Sequence, residues 1–146
     1  MTRTDLLAFM RSHTYAVQAS VSPSLAPQAA VVGFVVTDLF ELFFDTLDMS
    51  RKVQNLRHNS NVAFVMWTGE RTAQYEGVAD EPHGHELECL KELYFERFPD
   101  GRDRQKWEGL TYLRARPVWI RYSDFDPRPP LIVEFSENEL RTKTLL

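Results

Sequence analysis

The chain has 146 residues, 43% of them hydrophobic and 26% charged, which is the composition of one ordinary folded domain spanning 1–146 and excludes a disordered segment. Its net charge of −4 carries no basic stripe, so nucleic-acid binding is disfavoured. No apolar run approaches the roughly 20 residues that cross a bilayer, Met1 to Ser12 lacks the layout of a secretory signal, and the single cysteine excludes an intrachain disulfide framework; the expectation is a soluble, cytoplasmic protein with no membrane contact.

Thr4 to Arg11 places Leu6, Leu7, Phe9 and Met10 at helical spacing, with Thr4 or Asp5 available as a cap. Tyr15 to Ser22 reads as a strand, and Pro23 to Pro27 as a turn. Ala29 to Thr37 is an apolar strand interrupted by Gly33, where a bulge or a close approach to the backbone is expected. Asp38-Leu39-Phe40 connects it tightly to a strand over Glu41 to Asp45. Ser50 to His58 is a short amphipathic helix with Val53 and Leu56 on one face and Met49 behind them. Val62 to Thr68 and Thr72 to Ala79 form a hairpin about Gly69-Glu70-Arg71. A helix follows from about His85 to Phe98, in which Cys89 reads as inert packing. Asp100 to Arg104 reads as a solvated loop. Thr111 to Tyr122 is a long strand whose Pro117 requires an edge or a bulge. Pro127 to Pro130 is a rigid turn, Leu131 to Phe135 a last strand, and the tail a helical turn with a frayed end.

This order predicts a mainly β (α+β) fold. Strands come in consecutive antiparallel runs, and regular βαβ alternation is missing, so an antiparallel barrel with short peripheral helices fits best.

The segment Thr46-Leu47-Asp48-Met49-Ser50-Arg51-Lys52 carries the chemistry. A helix start presents unpaired N–H groups and partial positive charge. Hydroxyls at Thr46 and Ser50 can donate to phosphate oxygens, and Arg51 and Lys52 add full charge. A phosphate monoester is the natural guest of such a corner. His83-Gly84-His85-Glu86 has no obvious further ligand group, so no metal site is expected. No nucleophile–base–acid set can be assembled.

The order of Phe44-Asp45-Thr46, Ser50-Arg51-Lys52, Asn59-Ser60-Asn61, Val62 through Trp67, Arg71 through Gly77 and Trp119 through Phe125 resembles the split-barrel flavoproteins of the pyridoxamine 5′-phosphate oxidase family. The likeness covers roughly residues 5 to 125. It implies an antiparallel split β-barrel that binds flavin mononucleotide (FMN) between the two barrels of a homodimer. Ser50, Arg51 and Lys52 would then hold the phosphate with Thr46 near it, and Asp45 would sit at the flavin ring edge. Two departures stand out. The family's oxidases carry a phosphate-gripping Arg on the second strand, where this chain has Gln28-Ala29-Ala30. They also place a flavin-touching Gln directly after the Arg that follows the hairpin; here Thr72 follows Arg71, and Gln74, on the same strand face, is the stand-in. The residues by which the oxidases grip pyridoxal phosphate are not recognisable.

Trp107 could cover a flavin held by the other subunit. Arg121 wants a partner, either an acidic side chain or the cofactor. Trp67 and Trp119 read as core or dimer-interface aromatics. The resulting expectation is an oxidoreductase that moves hydride between a nicotinamide or small organic substrate and FMN. The alternatives are a deazaflavin-dependent reductase, a non-catalytic flavin or heme sensor, and a dimer whose pocket has lost its ligand.

Overall fold

The computed structural model describes residues 1–142. Along the chain it has α1 Arg3–Arg11, β1 Tyr15–Val21, β2 Pro27–Gly33, β3 Val35–Val36, β4 Leu42–Leu47, α2 Arg51–His58, β5 Asn61–Thr68 and β6 Arg71–Asp80. Then follow α3 Gly84–Arg97, α4 Gly101–Arg104, β7 Leu110–Asp124, β8 Leu131–Ser136 and α5 Glu137–Arg141. The frayed end expected after the last helical turn falls outside the described residues.

All strands join one antiparallel sheet in the order β2-β1-β5-β6-β7-β4-β3, with β8 also on β7. The two ends of that order are consecutive in the chain. The stretch read as one strand from Ala29 to Thr37 is in fact divided at Phe34: β2 pairs with β1, and β3 pairs with β4 at the opposite end. The break lets one segment serve both ends, and the sheet curls into a half-barrel of the split-barrel type. Gly33 sits at this break, and a Cβ there would lie 2.9 Å from the Phe98 ring. The close approach expected at that glycine is the packing of the α3 end on the backbone.

Phe34, Phe40, Phe43, Phe44, Phe64 and Tyr75 fill the interior with Leu6, Met10 and Ile120. The Tyr75 hydroxyl lies 3.0 Å from the carbonyls of both Phe40 and Ala115, and burial pushes its pKa well up. Pro117 lies at the β6–β7 bulge that falls between Glu76 and Gly77. On its other side β4 pairs with β7 only as far as Ala115, and β8 begins at Trp119. A residue without an N–H is tolerated there, beside a bulge on the β6 side and past the ends of both ladders on the other.

Several local expectations need correction. The α1 cap is Thr2, whose hydroxyl accepts from the Asp5 N–H while Asp5 accepts in return. Those bonds hold the Asp5 carboxyl below its usual range. Met49 is 90% exposed, and the buried face of α2 is made of Val53, Leu56 and the polar Asn55. Cys89 is exposed on α3, 3.4 Å from the His85 ring. Asp100 to Arg104 is no solvated loop: α4 forms there, and Arg104 reaches inward to Asp45 at 2.7 Å.

One buried cation was not anticipated. Arg114 is 2% exposed and bonds Asp80 at 2.9 and 2.6 Å, together with Glu86. It pins the first turn of α3 to β6 and β7, and it occupies the glutamate of the His-Gly-His-Glu motif. No helix among the described residues is long and apolar enough to cross a membrane.

Candidate functional site

The β4–α2 corner forms a basic hollow of about 230 Å³, lined by Gln18 and Ser20 of β1, Gln28, Ala29 and Ala30 of β2, and Arg51 and Lys52. Strand alternation turns Gln18 and Ser20 inward, both nearly inaccessible to water. Asn55 then organises the wall: its Nδ2 donates to Ser20 Oγ at 3.1 Å and to Gln28 Oε1 at 2.7 Å. Gln28 Oε1 also accepts from Arg51 Nε at 3.2 Å. One carboxamide thus fixes the guanidinium against the strand.

The electrostatics of this corner are unbalanced. Among the described residues no carboxylate lies within ion-pair distance of Arg51 or Lys52, whereas Arg11, Arg57, Arg102, Arg104 and Arg114 all have acidic partners. Partial burial lowers the Lys52 pKa below the ordinary lysine value. The first turn of α2 holds no acid, and the Ser50 side chain caps none of its N–H groups. Those donors and two cations therefore face the same region without a counter-charge.

The remaining expected site residues divide between places. Thr46 Oγ1 and Ser50 Oγ lie 3.3 Å apart at the helix start, just outside the lining of the hollow. Asp45 is engaged elsewhere: Tyr94 donates to one of its oxygens at 2.8 Å and Arg104 to the other at 2.7 Å. Burial, then the Asp45 charge, raises the Tyr94 pKa. Gln74 lines a second hollow of about 350 Å³ on the outer sheet face, with Val17, Ala19, Ala63, Glu76 and Trp119. Arg121 stands opposite Gln74 in register, with a Glu134 carboxylate oxygen 3.6 Å from its Nε. Trp107 is 56% exposed in the α4–β7 connection and lines neither hollow.

A third groove borders residues of both hollows. It shares Ser20 with the basic hollow, and Ala19, Ala63 and Glu76 with the outer one. A separate hollow of about 290 Å³ between α1, β3 and α3 also contains arginines, but Arg11 and Arg97 are bound there to Val36, Asp38 and Thr14.

Gln18, Ser20 and Asn55 escape a reading by residue type. Their signal is positional: β1 alternates Ala16, Gln18, Ser20 inward with Val17, Ala19, Val21 outward, so the polar set faces the interior.

Fold and site together define a split barrel with a basic corner. Residues 3–124 match the family model for pyridoxamine 5′-phosphate oxidase, and the chain belongs to that family. No curated protein matches the chain. Among solved structures, a heme binding protein from Mycobacterium smegmatis superposes with a TM-score of 0.82 at 14% identity, covering 95% of this chain and 59% of its own length. A pyridoxamine 5′-phosphate oxidase-related, FMN binding protein from Nostoc punctiforme gives 0.71 at 15% identity, covering 96% and 87%. The heme storage protein HutZ from Vibrio cholerae gives 0.68 at 20%, covering 80% and 91%. The chain thus spans about three-fifths of the length of the Mycobacterium protein. At these identities the likeness speaks for the fold alone.

Proposed function

We propose that this protein binds FMN between two copies of the chain and serves as a flavin-dependent oxidoreductase. Arg51, Lys52 and the first turn of α2 would hold the phosphate, with Thr46 and Ser50 beside them. Gln74 would meet the ring in the outer hollow. The observation that carries this reading is the pair of uncompensated cations lining one hollow, Arg51 held by Gln28 and Lys52 partly desolvated. Bound flavin supplies the hydride chemistry, while the chain supplies position, charge and exclusion of water.

Asp45 takes no part in this proposal, because both of its oxygens have partners inside the chain. Arg121 and Trp107 stand as ring-side or partner-side contacts only in the dimer. The nicotinamide donor and the organic substrate belong to the same proposal. A deazaflavin would use the same corner with a different tail.

Heme is the competing ligand, favoured by what the Mycobacterium and Vibrio relatives bind. The basic hollow would suit a propionate, but the outer hollow that would take the macrocycle offers iron only the Tyr75 phenol, already bonded to the Phe40 and Ala115 carbonyls.

Titration of purified protein with FMN, riboflavin, a deazaflavin and hemin, before and after the double change Arg51→Ala and Lys52→Ala, separates these readings. FMN affinity is expected to fall at least tenfold, as expected for losing charge-assisted hydrogen bonds. Riboflavin, which lacks the phosphate, should bind the variant as it binds the parent. Equal loss of both flavins would place the phosphate elsewhere. A Soret band with tight hemin binding, and no flavin binding, would replace FMN by heme.

A further inference from the structure

The basic hollow contains one fully buried side-chain N–H that has no partner among the described residues. Gln18 is 1% exposed, and its Nε2 is buried with no hydrogen-bond acceptor. Its neighbours do not share this state: Ser20, Asn55, Gln28 and Arg51 form a connected chain of hydrogen bonds. A buried N–H without an acceptor is costly, and folded proteins keep few of them. The open space that Gln18 borders is the hollow of Arg51 and Lys52.

We infer that Gln18 is a phosphate ligand: its carboxamide donates to an oxygen of the bound monoester, the acceptor it lacks in the free protein. This rests on the FMN reading above and adds a residue from β1 to it. A half-turn of the carboxamide exchanges N and O without moving the strand, so the donor can meet the ligand from either amide orientation. The chemistry of the hollow follows. Its full positive charges are those of Arg51 and Lys52, and the strand side contributes the neutral donors Gln18 and Ser20. The second-strand residue, Gln28, turns its oxygen to Arg51 and Asn55 and so positions the guanidinium.

Two opposite responses distinguish a ligand from a structural residue. Gln18→Leu removes a donor that is unsatisfied in the free protein, so the melting temperature of the ligand-free variant should hold or rise. The same change should weaken FMN about tenfold, the low end for a hydrogen bond to a charged group, and leave riboflavin unchanged. Gln18→Glu keeps the size and places a carboxylate against the phosphate, so FMN should weaken further, again with riboflavin unchanged. Inorganic phosphate, followed by ³¹P line broadening, is the probe free of the flavin ring, and its binding should weaken in both variants. Unchanged FMN and phosphate binding in both variants, with the double change at Arg51 and Lys52 still costing tenfold, would overturn the assignment of Gln18 while sparing the FMN reading. Equal loss of FMN and riboflavin in the Gln18 variants would overturn it too. If the double change itself left FMN untouched, the FMN reading would fall first.

Discussion

Lys52 decides how the corner responds to pH. Burial lowers its pKa in the free protein, since the charged ammonium loses water without gaining a counter-ion. A bound phosphate dianion supplies that counter-ion and raises the value again. Binding therefore takes up a proton wherever the pH lies between the free and bound values. FMN affinity is expected to fall as the pH rises through the range just below the ordinary lysine pKa, with riboflavin affinity flat over the same range. Fluorescence titrations of both flavins from neutral pH upward measure this directly; parallel curves for the two ligands would remove Lys52 from the phosphate site. Asp45 shows the opposite case. Beside Thr46 in sequence, it is turned by strand alternation towards Tyr94 and Arg104, and its charge is used in packing α3 and α4 onto the barrel.

At the scale of elements, two glycines fix how the sheet turns. A Cβ on Gly77 would collide with the Arg116 carbonyl oxygen and sit 2.8 Å from the Tyr75 ring, so the obstacle includes backbone at the β6–β7 bulge. At Gly33 the obstacle is the edge of the Phe98 ring, a side chain that can rotate. Gly77→Ala should therefore cost about 3 kcal/mol and Gly33→Ala about 1 kcal/mol, the two ends of the overpacking range. In thermal melts these are a loss on the order of 10 °C against a few degrees; equal losses would show that the bulge yields as readily as the ring. The elements themselves were legible in the sequence, because hairpins such as Val62–Thr68 with Thr72–Ala79 announce themselves by alternation and a Gly turn. The break at Phe34 was not, since Val35 and Val36 continue the same apolar run and only the pairing partner changes. The loop read at Asp100 to Arg104 failed for a related reason: its charge suggested solvent, while the partner of Arg104 lies 59 residues upstream.

At the scale of the whole molecule, the alternation of β1 is inverted relative to a barrel that ends at its own surface. Gln18 and Ser20 face in, while Val17, Ala19 and Val21 face out. The outward rows continue across the sheet in register: Val31, Val17, Val65 and Gln74 in one, Ala29, Ala19, Ala63 and Glu76 in the next. Val31 is 67% exposed on this face and Trp67 57%. The apolar part of these rows, Val31, Val17 and Val65 beside Ala29, Ala19 and Ala63, suits an isologous contact, in which the same patch meets itself about a two-fold axis. The sequence held this information in plain view, but its meaning depends on knowing which face of β1 turns inward. If this face joins two copies, a charge placed at its centre must break both the dimer and the ring half of the cofactor site. Ala63→Glu puts a second carboxylate directly across from Glu76, and two-fold symmetry repeats the repulsion on the partner copy. The expected result is a folded monomer by sedimentation velocity, with an unchanged far-ultraviolet spectrum. FMN affinity should fall at least tenfold, because the wall that excludes water from the ring is gone. Inorganic phosphate should still bind, since Arg51, Lys52 and the α2 start belong to a single chain. A variant that stays dimeric with full FMN affinity would move the interface off this face.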